Sequence, residues 1–145
     1  MAFTGNWTTN AFKTGMPSGI YNFGAGTAQV FKIALYTNAA TLDATTSAYT
    51  SVGEVSASGY TAGGQTLTIS QIPTVGSTGT TSYLSFGNAV FNAAITARGA
   101  LIYLADGTTN PTVCVLDFGS DKSSSSTFTV QFPTPTNTSA IIRIL

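Results

Sequence analysis

The sequence predicts an all-β chain, an antiparallel β-sandwich or jelly roll of about seven or eight strands with an irregular N-terminal arm. Three observations carry that expectation. Apolar and polar residues alternate in short runs, the helical spacing of three and four is almost absent, and clusters of Gly, Pro, Asn and Asp separate the runs. A length of 145 residues suits one domain that needs no disulfide or metal to hold it.

The first strong run, Ala28 to Tyr36, puts Ala28, Val30, Lys32, Ala34 and Tyr36 on one face and Gln29, Phe31, Ile33 and Leu35 on the other. Gln65 to Ile72 alternates with Leu67 and Ile69 facing in, until Ile72 breaks the pattern before Pro73. Ser82 to Phe86 and Ala89 to Phe91 read as a further pair around Gly87-Asn88. Ala94 to Ala105 reads as a long strand, with Ile95, Ala97, Gly99, Leu101 and Tyr103 set against Thr96, Arg98, Ala100, Ile102 and Leu104. The turn cluster Asp106 to Pro111 then joins it to Thr112 to Phe118 as a hairpin. Gly119 to Ser126 is a polar loop. Thr127 to Phe132 alternates with Phe128, Val130 and Phe132 on one side, and Pro133 and Pro135 end it. The last run, Ala140 to Leu145, is strongly apolar where chain ends usually fray, so a central or interface strand is expected there.

This divides the chain into an irregular arm at 1–27 and one sandwich domain at 28–145, with a long loop at 37–64. A short helix is expected near Asn10 to Lys13, stopped by Gly15, Pro17 and Gly19. Loops beyond about 12–15 residues are uncommon unless they serve a function. Both irregular regions are therefore expected to be contact arms. The candidate assembly contacts are Phe3, Trp7, Phe12 and Tyr21 in the first, Tyr49 and Tyr60 in the second, and Ile142, Ile144 and Leu145 in the final strand.

Composition points the same way. Only 7% of the residues are charged, against about 25% in an average domain. Ser, Thr, Asn and Gly must supply the polar surface, and a surface short of charge resembles the buried part of an interface. Five basic residues balance five acidic ones, with no basic cluster to neutralise phosphates or meet an anionic membrane. Neither nucleic acid nor a membrane is expected as a partner. No apolar run reaches about 18 residues, and Met1 to Trp7 lacks the pattern of a signal peptide.

The chemistry available is sparse. Without histidine, Ser-His-Asp and Cys-His systems are excluded. The lone Cys114, inside Thr112 to Leu116, reads as a small buried hydrophobe. No cluster of Cys or His exists for zinc. Asp43, Glu54, Asp106, Asp117 and Asp121 each fit a turn, a cap or an ion pair, with Arg98 or Lys122 able to neutralise either of the last two. Ser120 and Ser123 beside Lys122 read as a solvated turn. Gly24 to Gln29 lacks the third glycine of a dinucleotide loop. No catalytic residue, cofactor or metal is expected, and the chain reads as a non-enzyme. A glycan platform of Trp7, Tyr21, Tyr36, Tyr49 and Tyr60 is the competing reading of its aromatics.

Four segments carry a resemblance: Phe31 to Thr37, Gly59 to Gly64, Ala97 to Tyr103 and Val115 to Lys122. They resemble small structural proteins of tailed bacteriophages, cyanophage-like ones included. The resemblance implies a virion part assembled in the host cytoplasm, either a capsid decoration (cement) protein or a tail-associated component. Its implied partners are copies of itself, as a homotrimer, and a capsid or tail protein. A tail, baseplate or fibre module that binds a host receptor or glycan is the alternative it implies. Met1 to Gly26 fits the pattern least.

Overall fold

The computed structural model describes residues 3–26 and 29–145. Its elements in chain order are β1 (Trp7–Thr8), α1 (Asn10–Gly15), β2 (Phe31–Tyr36), β3 (Gln65–Leu67), β4 (Ile69–Val75), β5 (Ser82–Phe86), β6 (Ala89–Phe91), β7 (Thr96–Leu104), β8 (Thr112–Ser123), β9 (Phe128–Val130) and β10 (Ile142–Ile144). Three sheets form, in the orders β1-β8-β7-β2-β3, β10-β5-β4 and β6-β9. Every named strand pair is antiparallel. The all-β antiparallel sandwich expected from the alternating runs is what the chain builds.

The β7–β8 hairpin is the spine. Asp106 closes it, its Oδ1 accepting the backbone N–H groups of Thr108 at 2.8 Å, Thr109 at 3.0 Å and Asn110 at 2.8 Å. This turns the chain tightly enough for Asn110 to sit at φ 46°. Such a left-handed conformation is tolerated best by Gly, Asn and Asp.

Apolar residues cover both faces of the five-stranded sheet. On one face Phe31, Ile33 and Leu35 of β2 meet Ala100, Ile102 and Leu104 of β7, and the two smaller sheets close over them. On the other, Ala34, Tyr36, Leu101, Tyr103 and Val115 are covered by Phe3, Ala40 and Leu42. Strands buried on both sides read as near-continuous apolar runs, which is why β2 and β7 look denser in the sequence than their neighbours. Burying a Leu, Ile or Phe in either layer contributes about 1.5–3 kcal/mol.

Several sequence expectations are corrected. The N-terminal segment, expected as an irregular arm, packs along the rest of the chain. Phe3 pairs with Leu42 across an isolated bridge, β1 adds to the edge of β8, and α1 is capped by Thr9, whose hydroxyl accepts the Phe12 N–H at 3.2 Å. Phe23 then stacks on Phe31 at 4.3 Å and 9°. Apart from the exposed Trp7, the scattered aromatics of this Gly- and Thr-rich stretch are core pieces. The expected boundary between residues 27 and 28, and Ala28 as a strand residue, lie outside the described residues.

β5 and β6 do not pair with each other. β5 pairs with β4 and β10, and β6 with β9, because the chain changes sheets at Gly87-Asn88. Along β7, Ala97 lies in the same apolar cluster as Ala100 and Ile102. A register shift between Ala97 and Gly99 switches the strand's faces. β8 continues through the expected polar loop to Ser123. β10 is an edge strand of three residues, with its first residue, Ile142, buried. Pro73 sits inside β4, which a free edge permits.

Candidate assembly surface

The register of the small sheet defines its faces. Ile142 lies opposite Leu84, Ile144 opposite Ser82, and Val75 opposite Ser82 on the other side. Ile142 and Leu84 are buried in the main core. By strand alternation, Val75 and Ile144 lie on that same core-facing side, one step further out. Yet Val75 is 59% exposed and Ile144 41%. The inner face of this sheet overhangs the core it helps to cover.

Below the overhang is an apolar groove of about 320 Å³, lined by Met16, Tyr21, Phe23, Leu84, Ile142 and Ile144 among others. Leu145, next to Ile144 at the end of this row, is 94% exposed. From Ile69 to Phe86 the chain contains no Asp, Glu, Lys or Arg. Arg143 of β10 alternates to the opposite face from Ile144, with its Nη1 3.4 Å from the Asn137 carbonyl oxygen. The overhanging face is therefore apolar and free of charge.

Strand edges are poorly suited to adding a foreign strand. β1, β3 and β10 are two or three residues long. β4 carries Pro73 and two register shifts. Beyond β1, Asn6 Oδ1 accepts the Asp117 N–H at 2.7 Å, and Asp117 Oδ1 accepts that of Gly119 at 2.8 Å. Short, bulged and side-chain-capped edges are how β proteins avoid edge-to-edge pairing.

The second feature is a cluster around Glu54, in the long segment between β2 and β3. Tyr49 donates its hydroxyl to Glu54 Oε2 at 2.6 Å. Tyr60 donates to Oε1 at 2.7 Å, as does the Gly63 N–H at 2.7 Å. The Tyr60 oxygen accepts the Leu35 N–H of β2 at 2.9 Å. From the sheet, Tyr36 donates to the Thr50 carbonyl at 2.6 Å and Tyr103 to that of Gly63 at 2.6 Å. Burial is the main cause of raised phenol pKa values in this cluster, with Glu54 adding to it. The Tyr103 phenol is pushed up to about 12, and those of Tyr36, Tyr49 and Tyr60 higher still.

The nine expected contacts separate into three groups. Phe3, Phe12, Tyr21 and Ile142 are buried in the chain's own core, so they are not available as surface contacts in this fold. Each is an aromatic or branched residue that its own sheet needs for cover. Tyr49 and Tyr60 are half-buried and engaged with Glu54. Trp7, Ile144 and Leu145 remain exposed. The sequence reading missed Val75 and Ile72, 43% exposed, because it ended the run before Pro73, whereas β4 continues through it to Val75. Of the five aromatics of the glycan platform, Trp7 alone has an exposed ring; Tyr36 is fully buried.

The acidic residues are engaged structurally. Asp117 pairs with Arg98 at 3.0 Å, and the Arg98 guanidinium stands 5.8 Å from the centre of the Phe3 ring. Asp43 Oδ1 accepts from the hydroxyl and N–H of Thr45, and these bonds hold its carboxyl below the usual range. Asp121 accepts from Asn38 at 3.2 Å. Cys114 is buried, and desolvation pushes its thiol up to about 12. Among the described residues no group of three metal-ligating side chains comes together, and no helix is long and apolar enough to cross a membrane.

No protein-family model, curated protein or solved structure matches the chain.

Proposed function

We propose that the chain is a non-enzymatic virion structural protein of the tailed-phage kind, a decoration (cement) protein that binds and stabilises a capsid as an oligomer. The observation that carries this reading is the overhanging apolar face of the β10-β5-β4 sheet. Val75 and Ile144 stand on a core-facing side that the chain itself does not cover. Contiguous exposed apolar surface marks interaction sites in folded proteins. A second copy fits this face because the hairpin from Ile69 to Phe86 has no charge to repel its like. Contact there is by side-chain packing, since the strand edges are short or interrupted. A homotrimer is the assembly proposed, with the remaining surface facing the shell.

Adding purified protein to undecorated heads of the phage that encodes it tests the reading. Cosedimentation with heads and recovered resistance to heat or osmotic shock are expected. Heads that neither bind the protein nor gain resistance would overturn it. Val75→Asp and Ile144→Asp should lose binding while circular dichroism stays unchanged.

A further inference from the structure

We infer that residues 50–64 form a strap that opens as a unit of its own, with the Glu54 carboxylate as its latch. The segment crosses from one apolar layer to the other. Near its start it is tied to the Tyr36 hydroxyl, on the face covered by Leu42, through the Thr50 carbonyl. Past Glu54, Val55 is buried in the main core and Tyr60 stacks on Phe91 with ring centres 5.6 Å apart. Regular structure is lacking throughout. Its one ladder contact is the isolated bridge between Glu54 and Tyr36.

The chain before it is held differently. Ala44 accepts the Asn10 N–H at 2.8 Å, Ser47 that of Thr112 at 3.1 Å, and Tyr49 donates its N–H to Asn110 at 3.0 Å. Those bonds fix residues 44–49 to α1 and to the β7–β8 turn. Residues 50–64 share two backbone bonds with the end of β2, Thr37 N–H to the Gly53 carbonyl and Val55 N–H to the Leu35 carbonyl, each 2.9 Å. They are otherwise held by side chains, three of whose bonds converge on Glu54. Glu54 takes Tyr49, Tyr60 and the Gly63 N–H together, and orients Tyr60 to receive the Leu35 N–H.

This convergence makes the strap selectively sensitive to Glu54. When the strap is closed, loss of the carboxylate leaves three donors without an acceptor in a half-buried place. When it is open, water satisfies them, so the loss weakens only the closed form. Local opening of such a segment proceeds at lower free energy than global unfolding. Opening bares the Tyr36 and Tyr103 hydroxyls on one face and the Phe91 ring on the other, while the β7–β8 spine stays paired.

Native-state hydrogen exchange on the full chain tests this, reading the amides of Val55 and Gly63 against those of β7 and β8. Wild type should show the strap amides exchanging at least tenfold faster than the hairpin amides. Glu54→Gln, and Tyr60→Phe, which keeps the ring, should each speed the strap amides by roughly tenfold, with a much smaller change in the hairpin. Strap and hairpin amides exchanging at one common rate, or shifting in step in both variants, would overturn the inference. So would strap rates unaltered by either substitution.

Discussion

The ring of Phe3 lies against the backbone of Gly99, so closely that a Cβ on Gly99 would stand 2.7 Å from Phe3 Cζ and collide with the Leu116 carbonyl oxygen. Phe3 is 2% exposed and belongs to the layer that covers the outer face of the large sheet. The N-terminal segment is thereby seated where β7 has no side chain. Gly99→Ala should cost about 1–3 kcal/mol, the usual penalty for overpacking a filled site. Chemical denaturation measures it. Equal midpoints for variant and wild type would contradict this close approach of Phe3 and the Leu116 carbonyl to Gly99.

Five tyrosines should make the fold sensitive to alkali. Burial raises the phenols of Tyr21 and Tyr103 to about 12 and those of Tyr36, Tyr49 and Tyr60 higher. In an unfolded chain they ionise near pH 10. The native state therefore binds these protons more tightly. The stability they contribute is complete below about pH 10 and is lost as pH rises through the folded values. Phenolate absorbance and near-ultraviolet circular dichroism should change together in one steep transition above about pH 11. Five phenols titrating near 10 in an intact fold would contradict the burial described.

Cys114 offers a probe of the native core. Its thiol is fully within the protein and raised to about 12 by desolvation, so little thiolate exists at neutral pH. A thiol reagent at pH 8 should label it no faster than the protein opens, and at once in denaturant. Rapid native labelling would place it at a surface.

Much of this was legible in the sequence. The β7–β8 hairpin, the short helix and the strictly alternating strands follow from local pattern and turn residues. What was not legible depends on long-range pairing. Phe12 and Tyr21 sit in a stretch with no period, so nothing local says that they fill the core beside Phe23. The face switch of β7 near Gly99 coincides with extra residues in β8 between Asp117 and Lys122, a mismatch visible only once the two strands are paired. The partnership of Tyr49 and Tyr60 through Glu54 is close in sequence but needs a folded strap. The exposed face of Val75 and Ile144 joins strands far apart in the chain, which a single-strand pattern cannot reveal.

The central claim is that the overhanging face of Val75 and Ile144 joins copies of this chain. Sedimentation equilibrium of the purified protein tests it most directly. The expected result is a species of three times the 14.9 kDa chain mass, reduced to single chains by Val75→Asp with the fold retained. A wild-type protein sedimenting as a 14.9 kDa monomer at every concentration, or a trimer unaffected by Val75→Asp, would contradict it.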